Sequence, residues 1–164
     1  MAIQKKELIS KLDTSSDRTA EKVIARLVKV GAPVVPQLIQ AASDLSRPRL
    51  RKWSLQALGA IGDVSAAPIL IQALRDPRMT VKLHAIRGLA RMGHKPGATS
   101  IRRLLADPSG GIRVNAIDAL ICLNAKAAAS SIMTALGDEQ WIFRGDSYCL
   151  RLSLSDLKTT ASPS

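Results

Sequence analysis

The sequence predicts an all-α fold: an α-solenoid of about four and a half helical hairpins, each about 31 residues long. Three observations lead to this prediction: a repeat every 31 residues, apolar residues at helical intervals within each repeat, and a composition rich in small aliphatic side chains. Of the 164 residues, 46 % are hydrophobic but only 2 % are aromatic. Such side chains suit closely packed helices better than the aromatic-rich core of a β-sandwich.

Four columns of equivalent residues define the repeat and mark the end of the first helix in each hairpin. Glycine and asparagine readily adopt the left-handed conformation that follows a helix, so the first column predicts where these helices stop. The other three columns precede it at helical spacing and predict the buried stripe. The columns are Gly31, Gly62, Gly93 and Asn124; Leu27, Leu58, Leu89 and Leu120; Ile24, Leu55, Ile86 and Ile117; and Val30, Ile61, Met92 and Leu123.

A second helix is predicted after each of these stops. Residues 66–75 are apolar at helical intervals, and Pro68 falls in the first turn, where its missing N–H costs little. Asp76-Pro77 and Asp107-Pro108 are expected to end such helices, because the residue before a proline is disfavoured in the α conformation. One hairpin cannot bury its apolar stripe alone, so we expect the copies to stack.

The repeat predicts a single domain over residues 1–157. A short amphipathic helix is expected at 2–13, ahead of the first hairpin. The assigned segments are four repeats at 17–48, 49–79, 80–110 and 111–141, a partial C-terminal cap at 142–157 and a disordered tail at 158–164.

The second repeat carries a specific family resemblance. Its matching residues include Leu50-Arg51, Ala57-Leu58-Gly59, Ile61-Gly62-Asp63, Pro68, Leu70-Ile71, Ala73-Leu74 and Asp76. This pattern resembles the short HEAT-like repeats first described in phycobilisome (bilin) lyase subunits, and the resemblance extends over residues 17–145. It implies an α-solenoid, a fold that serves many different tasks.

The resemblance also implies a structural ladder of charged residues. HEAT-type repeats are similar in pairing an aspartate in a loop with a basic residue at the start of the next helix. In this sequence the basic residue follows the aspartate by six positions, and Arg51 is expected to belong to the same set. The implied pairs are Asp76 with Lys82, Asp107 with Arg113, and Asp138 with Arg144.

No catalytic, metal or cofactor site is predicted. His84 and His94 are ten residues apart with no His-Glu pair, and there is no Gly-x-Ser-x-Gly motif or glycine-rich phosphate loop.

Residues 30–43 form the longest uncharged apolar stretch, which is too short to span a bilayer. The first residues lack an apolar leader, and Cys122 and Cys149 are isolated, so we expect reduced thiols and a cytoplasmic protein.

The strongest functional signal is positive charge. The chain has 24 basic and 13 acidic residues, a net charge of +11, and residues 49–110 alone hold 11 basic and 3 acidic residues. A field of this size attracts an acidic protein or a phosphate backbone. The candidate partner-binding residues are Gln72, Arg75, Arg78, Arg102, Arg103 and Trp53. For Trp53, packing in the core remains the alternative, and the stem of Arg102 is expected to be half-buried.

We therefore predict a non-enzymatic protein-interaction or scaffold module that binds an acidic partner through its basic central region. The family resemblance implies that this acidic partner is a phycobiliprotein. One alternative is a HEAT-like protein that binds nucleic acid, which the high pI of about 10.4 favours. The other is a subunit of a bilin lyase-type enzyme, although four and a half repeats are few beside the longer paired chains of known lyases of this type. No membrane partner is predicted.

Overall fold

The computed structural model describes residues 2–14 and 16–123, and within them every regular element is a helix. This confirms the all-α fold class. Short 3-10 helices at 32–34, 64–66, 95–97 and 103–106 connect or extend the α-helices. The α-helices are α1 (Ala2–Thr14), α2 (Asp17–Val30), α3 (Val35–Ser43), α4 (Pro48–Ile61), α5 (Ala67–Ala73), α6 (Met79–Arg91), α7 (Ala98–Arg102) and α8 (Gly110–Cys122).

The chain divides into two compact units, an N-terminal unit up to Met92 and a C-terminal unit from Gly93 onward. Helices α1 to α6 belong to the first unit, and α7 and α8 belong to the second. The predicted repeat boundaries and the single-domain organisation stay predictions. Asn124, Asp138, Arg144, the predicted cap and the predicted tail lie outside the described residues.

The first helices end where the glycine column predicts. Gly31 and Gly62 have φ values of 70° and 77°, a region that side chains with a Cβ rarely adopt. The N–H of Gly31 donates to the carbonyl of Leu27, and the N–H of Gly62 donates to that of Leu58. Each glycine therefore satisfies a carbonyl in the last turn and lets the chain reverse into the next helix.

Helix α4 lies at the centre of the N-terminal unit, where it packs against α1, α2, α3 and α6. Two of its apolar columns are fully buried: Leu55 and Leu58 have no exposed surface, and neither has Leu89 of α6. The third column is only half-buried at Val30, Ile61 and Met92. Burying one leucine side chain contributes about 1.5–3 kcal/mol. These columns therefore account for the position of α4 between its neighbours.

An aspartate closes four of the described loops in the same way. One carboxylate oxygen accepts the backbone N–H of the residue two positions later at 2.9 Å, which fixes the turn. The four aspartates are Asp44, Asp63, Asp76 and Asp107. Helix α5 ends at Ala73 and the last 3-10 helix ends at Ala106, so the second helices stop just before Asp76 and Asp107, as predicted.

These turns stabilise the ionised form of two half-buried carboxylates, Asp44 and Asp63. The hydrogen bond from the Ser46 hydroxyl, followed by that from Arg47, lowers the pKa of Asp44 to about 2. The Ser65 hydroxyl and backbone N–H likewise lower the pKa of Asp63. Both aspartates are therefore charged at neutral pH and held within their own loops.

The C-terminal unit is less regular than the repeat predicts. Helix α7 has five residues and continues as a 3-10 helix at 103–106, which packs with α7 against α8. Cys122, at the end of α8, is disulfide-bonded, so the prediction of a reduced thiol at this position is wrong. Sequence spacing alone does not show which cysteines a fold brings together.

Among the described residues, no single helix has the length and apolar character needed to cross a membrane. Only Asp17–Val30 taken together with Ala32–Ser43 would meet those two criteria, and the chain bends by 114° between them.

Candidate interaction surface

Arg51 and Asp76 form a buried ion pair in the N-terminal unit. The Nε of Arg51 donates to Asp76 Oδ2 at 3.1 Å, and Arg51 also donates to the carbonyl of Ala42. The other carboxylate oxygen of Asp76 holds the backbone N–H of Arg78. Arg51 of α4 therefore connects the end of α3 to the loop between α5 and α6.

Lys82 and Arg113 are the other basic ladder residues that the structure describes. Lys82 is half-buried on α6. Arg113 donates to the backbone carbonyls of Asp107 at 3.0 Å and Pro108 at 3.2 Å, so it contacts the main chain of the loop that contains its predicted partner. The pairing of Asp76 with a residue 25 positions earlier was not predicted. The sequence places a basic residue both 25 positions before and six positions after the aspartate, and spacing does not choose between them.

The predicted partner-binding arginines and Gln72 are exposed. In the N-terminal unit, Gln72 lies in the last turn of α5, Arg75 follows the end of that helix, and Arg78 directly precedes α6. The Arg78 side chain is 41 % exposed and its Nη1 lies 3.8 Å from Asp76 Oδ2. In the C-terminal unit, Arg102 and Arg103 are exposed, and the half-buried stem expected for Arg102 stays a prediction.

Trp53 is buried, with 5 % of its surface exposed. The Nζ of Lys52 lies 3.8 Å from the centre of the indole ring, and the ring of His84 lies 5.9 Å from it in a tilted arrangement. Lys52 also lies 3.7 Å from the carboxylate of Asp17. The burial of Trp53 favours the core-packing alternative over direct contact with a partner.

A small pocket lies between α4 and α6, and the sequence did not predict it. Its lining consists of Gln56 and Gly59 from α4 and of His84, Arg87, Gly88 and Arg91 from α6. Its cavity volume is about 50 Å³. We call this cavity the α4–α6 pocket.

Two glycines allow the pocket to form. A Cβ on Gly59 would lie 2.5 Å from the Cα of Gly88, closer than real Cβ atoms approach backbone. The two helices therefore come together backbone against backbone at this point, and the longer side chains on either side leave a recess. The signal in the sequence was a glycine inside each helix, away from the column of helix-ending glycines.

The electrostatics of the pocket are strongly positive. Burial lowers the pKa of His84 to about 4, and the charges of Lys52, Arg87 and Arg91 lower it further in the same direction. The imidazole is therefore neutral at pH 7. The Oε1 of Gln56 is buried without a hydrogen-bond partner.

The described part of the chain holds no group of three or more His, Cys, Asp or Glu residues that could bind a metal ion. The pocket residues are cationic or neutral, so they suit an anionic group rather than a metal.

Comparison with known proteins agrees with this architecture. The chain is similar in structure to a chain from the complex of CpcE and CpcF of phycocyanin lyase from Nostoc sp. PCC7120, with a TM-score of 0.70 and 23 % sequence identity. The match covers 83 % of this chain and 99 % of that chain, and it confirms the α-solenoid fold. No curated protein matches the sequence. The family model for HEAT repeats matches residues 6–79 and 67–148. The chain therefore belongs to the HEAT-repeat family.

Proposed function

We propose that this chain is a non-enzymatic interaction module that binds an acidic protein through a basic surface on its N-terminal unit. We define the central basic surface as the exposed residues Arg75, Arg78, Arg87 and Arg91. The observation that carries the proposal is the exposure of these four arginines within a strongly basic stretch: residues 49–92 hold eight basic residues and two acidic ones.

The layout of the arginines favours an extended partner. Arg78 immediately precedes α6 and Arg91 is its last residue, so at 1.5 Å per residue they lie about 20 Å apart along the helix. A single small anion cannot reach both ends of this surface. A protein with several acidic side chains could contact both ends, and the positive field would speed their encounter.

The C-terminal unit adds two exposed arginines, Arg102 and Arg103. They belong to the same proposal, as a separate contact region. Any contribution that they make to partner binding is measurable independently of the N-terminal unit, by changing one unit at a time.

Charge reversal tests the proposal. We would measure binding of apo-phycocyanin, the partner class that the family resemblance indicates, to the full chain and to the variants Arg75→Glu and Arg103→Glu. The matched control is Arg26→Glu, which makes the same charge change at an exposed position on α2. Weaker binding by either reversed variant but not by the control supports the proposal. Equal binding by all four proteins would contradict it.

A lyase subunit is the second candidate function, and the structural comparison favours it. The match covers 99 % of one chain of the CpcE–CpcF complex, so the argument that this chain is short for a lyase subunit does not hold against that chain. The test is bilin transfer to apo-phycocyanin, measured by the chain alone and together with a second HEAT-repeat subunit. Transfer that requires this chain would replace the non-enzymatic proposal.

A cytoplasmic location stays a prediction within this proposal. The disulfide at Cys122 lends it no support, because cytosolic proteins usually keep their thiols reduced. Cell fractionation followed by immunoblotting decides the location.

A further inference from the structure

We propose that the acidic partner binds through a segment in which apolar side chains alternate with acidic ones, and that Leu45 and Met79 contact those apolar side chains. This inference rests on the proposed function and makes it more specific, because it names the chemistry of the segment and its place of binding. Leu45 lies in the loop between α3 and α4, and Met79 is the first residue of α6. We define the loop surface as Leu45, Arg75, Arg78 and Met79.

Arg51 connects the two loops that contribute to the loop surface. Its guanidinium donates to the carbonyl of Ala42, three residues before Leu45. It also donates to the carboxylate of Asp76, three residues before Met79. Three residues of chain reach at most about 11 Å, so both apolar residues lie near the same buried guanidinium. An extended segment of eight residues spans about 26 Å, which is long enough to contact both.

Leu45 and Met79 are two of the four large apolar residues that are exposed in the described part of the chain. Leu45 is 63 % exposed and Met79 is 49 % exposed. Apolar residues scattered singly over a surface are ordinary, but these two belong to neighbouring loops and together form a patch. A partner that covered them would remove apolar surface from water, which adds to the affinity that charge provides.

The charges of the loop surface favour an acidic segment. Arg75 is exposed, and the Arg78 side chain is 41 % exposed. Both arginines also belong to the central basic surface, so the loop surface continues it. In the other loop, the carboxylate of Asp44 already accepts from Arg47 at 2.7 Å. Carboxylates of a partner would form charge-assisted hydrogen bonds with Arg75 and Arg78 while neighbouring apolar side chains cover Leu45 and Met79.

The same features disfavour two other occupants. A second copy of this chain would itself carry a net charge of +11, so the two copies would repel each other. The backbone of a nucleic acid presents phosphates and sugars, which offer no large apolar group for Leu45 and Met79 to contact. The loop surface therefore fits an acidic protein segment that also carries apolar side chains.

The test compares the binding of two fluorescent peptides of equal charge to the full chain. The first is Glu-Glu-Leu-Glu-Glu-Leu-Glu-Glu, and in the second, serine replaces both leucines. Fluorescence anisotropy measures the two dissociation constants. Because the leucines would be buried against the loop surface, the first peptide should bind about tenfold more tightly than the second.

The decisive variant is Leu45→Ala/Met79→Ala. It should weaken binding of the leucine peptide about fivefold or more and leave binding of the serine peptide unchanged. The matched control is Val64→Ala, which shortens a side chain that is 62 % exposed. Val64 follows the last residue of α4, which lies about 15 Å along the helix from Arg51, so this control should bind both peptides as the unchanged chain does. Circular dichroism verifies that both variants are folded.

The remaining outcomes separate this inference from the proposed function. If the two peptides bind equally and Arg75→Glu weakens both, the interaction module stands and the apolar contact is wrong. Absence of binding by either peptide would contradict both proposals. If Leu45→Ala/Met79→Ala weakened both peptides equally, or Val64→Ala weakened the leucine peptide as much, the loop surface would not be the site of the leucines.

Analytical ultracentrifugation tests the remaining occupant, a second copy of this chain. The unchanged chain should sediment as a single species at all concentrations. Self-association that is lost in Leu45→Ala/Met79→Ala would assign the loop surface to contacts between copies and overturn the inference.

Discussion

The Nε of Arg51 donates to Asp76 Oδ2 at 3.1 Å, and each of the two side chains is only 3 % exposed. This pair connects α4 with the loop that precedes α6, the helix on which Arg87 and Arg91 lie. A buried pair of this kind holds elements in a fixed arrangement, but each partner depends on the other, since either charge left alone inside the protein is strongly unfavourable. The geometry of the central basic surface therefore depends on two residues that are themselves buried.

Removal of one member of this pair should destabilise the fold. We expect Arg51→Met to lower the free energy of unfolding by about 3–5 kcal/mol, because Asp76 would stay buried without its cation. Urea denaturation followed by circular dichroism measures the change. The double variant Arg51→Met/Asp76→Leu should recover part of the loss, since both buried charges are then absent.

The control for this experiment is Arg47→Met. It removes an ion pair of similar geometry, Arg47 Nε to Asp44 Oδ2 at 2.7 Å, from a solvent-exposed position, and only a small change is expected. Arg51→Met and Arg47→Met with equal effects would show that burial does not determine the strength of the Arg51–Asp76 pair.

Much of the fold was predictable because its determinants are local. The stops at Gly31 and Gly62 need only a left-handed residue after a helix, and the turn at Asp76 needs only a carboxylate two positions before a backbone N–H. Because the same residue types recur in each copy of the repeat, each local signal appears several times in the sequence. The end of α7 is the exception, where the predicted helix tightens into a 3-10 helix at 103–106.

The candidate site was less predictable because it depends on contacts between distant residues. The exposure of Arg75 and Arg78 followed from their places in the repeat. The burial of Trp53 and the pairing of Arg51 with Asp76 depend on how α4 is surrounded, which spacing does not encode. The α4–α6 pocket exists because two interior glycines meet in space, and no property of either helix alone reveals that contact.

The contact between Gly59 and Gly88 provides a second prediction. Gly59→Ala should destabilise the chain by about 1–3 kcal/mol, because the new Cβ would lie 2.5 Å from backbone that cannot move aside as a side chain could. Intrinsic helix propensity acts in the opposite direction, by up to about 1 kcal/mol in favour of alanine, so a measured loss identifies the steric effect. Thermal or urea unfolding measures it.

Gly111→Ala is the matched control. Its Cβ would have Ser109 Oγ at 3.8 Å as its nearest neighbour, an ordinary van der Waals contact, so it should be neutral or slightly stabilising. Equal stability of Gly59→Ala and the unchanged chain would mean that α4 and α6 can separate at no cost, which would contradict the close contact.

His84 should make stability depend on pH. Its pKa is lowered to about 4 in the folded chain, by burial first and then by Lys52, Arg87 and Arg91, whereas an unfolded histidine has a pKa near 6.5. Between these values the unfolded state binds more protons, so the stabilisation is present above about pH 6.5 and is lost as the pH falls towards 4. From pH 7 to pH 5 this site should cost about 2 kcal/mol.

The measurement compares unfolding free energies of the unchanged chain and His84→Asn at pH 7 and pH 5. The variant should lose about 2 kcal/mol less than the unchanged chain over this interval, whatever its stability at pH 7. Asparagine occupies the equivalent column position at 115, so it is compatible with the repeat. His94→Asn controls for the loss of a histidine elsewhere. If His84→Asn left the pH dependence unchanged, the pKa of His84 would not be lowered in the folded chain, and the prediction would be wrong.

Salt dependence distinguishes an acidic protein partner from nucleic acid. The central basic surface offers four arginines, and Arg78 and Arg91 at its two ends lie about 20 Å apart along α6, so duplex DNA contacting this surface would neutralise at most about four phosphates. The slope of log K against log salt for a short duplex should then be no steeper than about −4. Hexaglutamate should bind more tightly than the duplex at about 0.15 M salt, where charges more than about 8 Å apart are screened. A steeper slope together with tighter duplex binding would favour the nucleic-acid alternative, and fluorescence anisotropy at several salt concentrations decides between them.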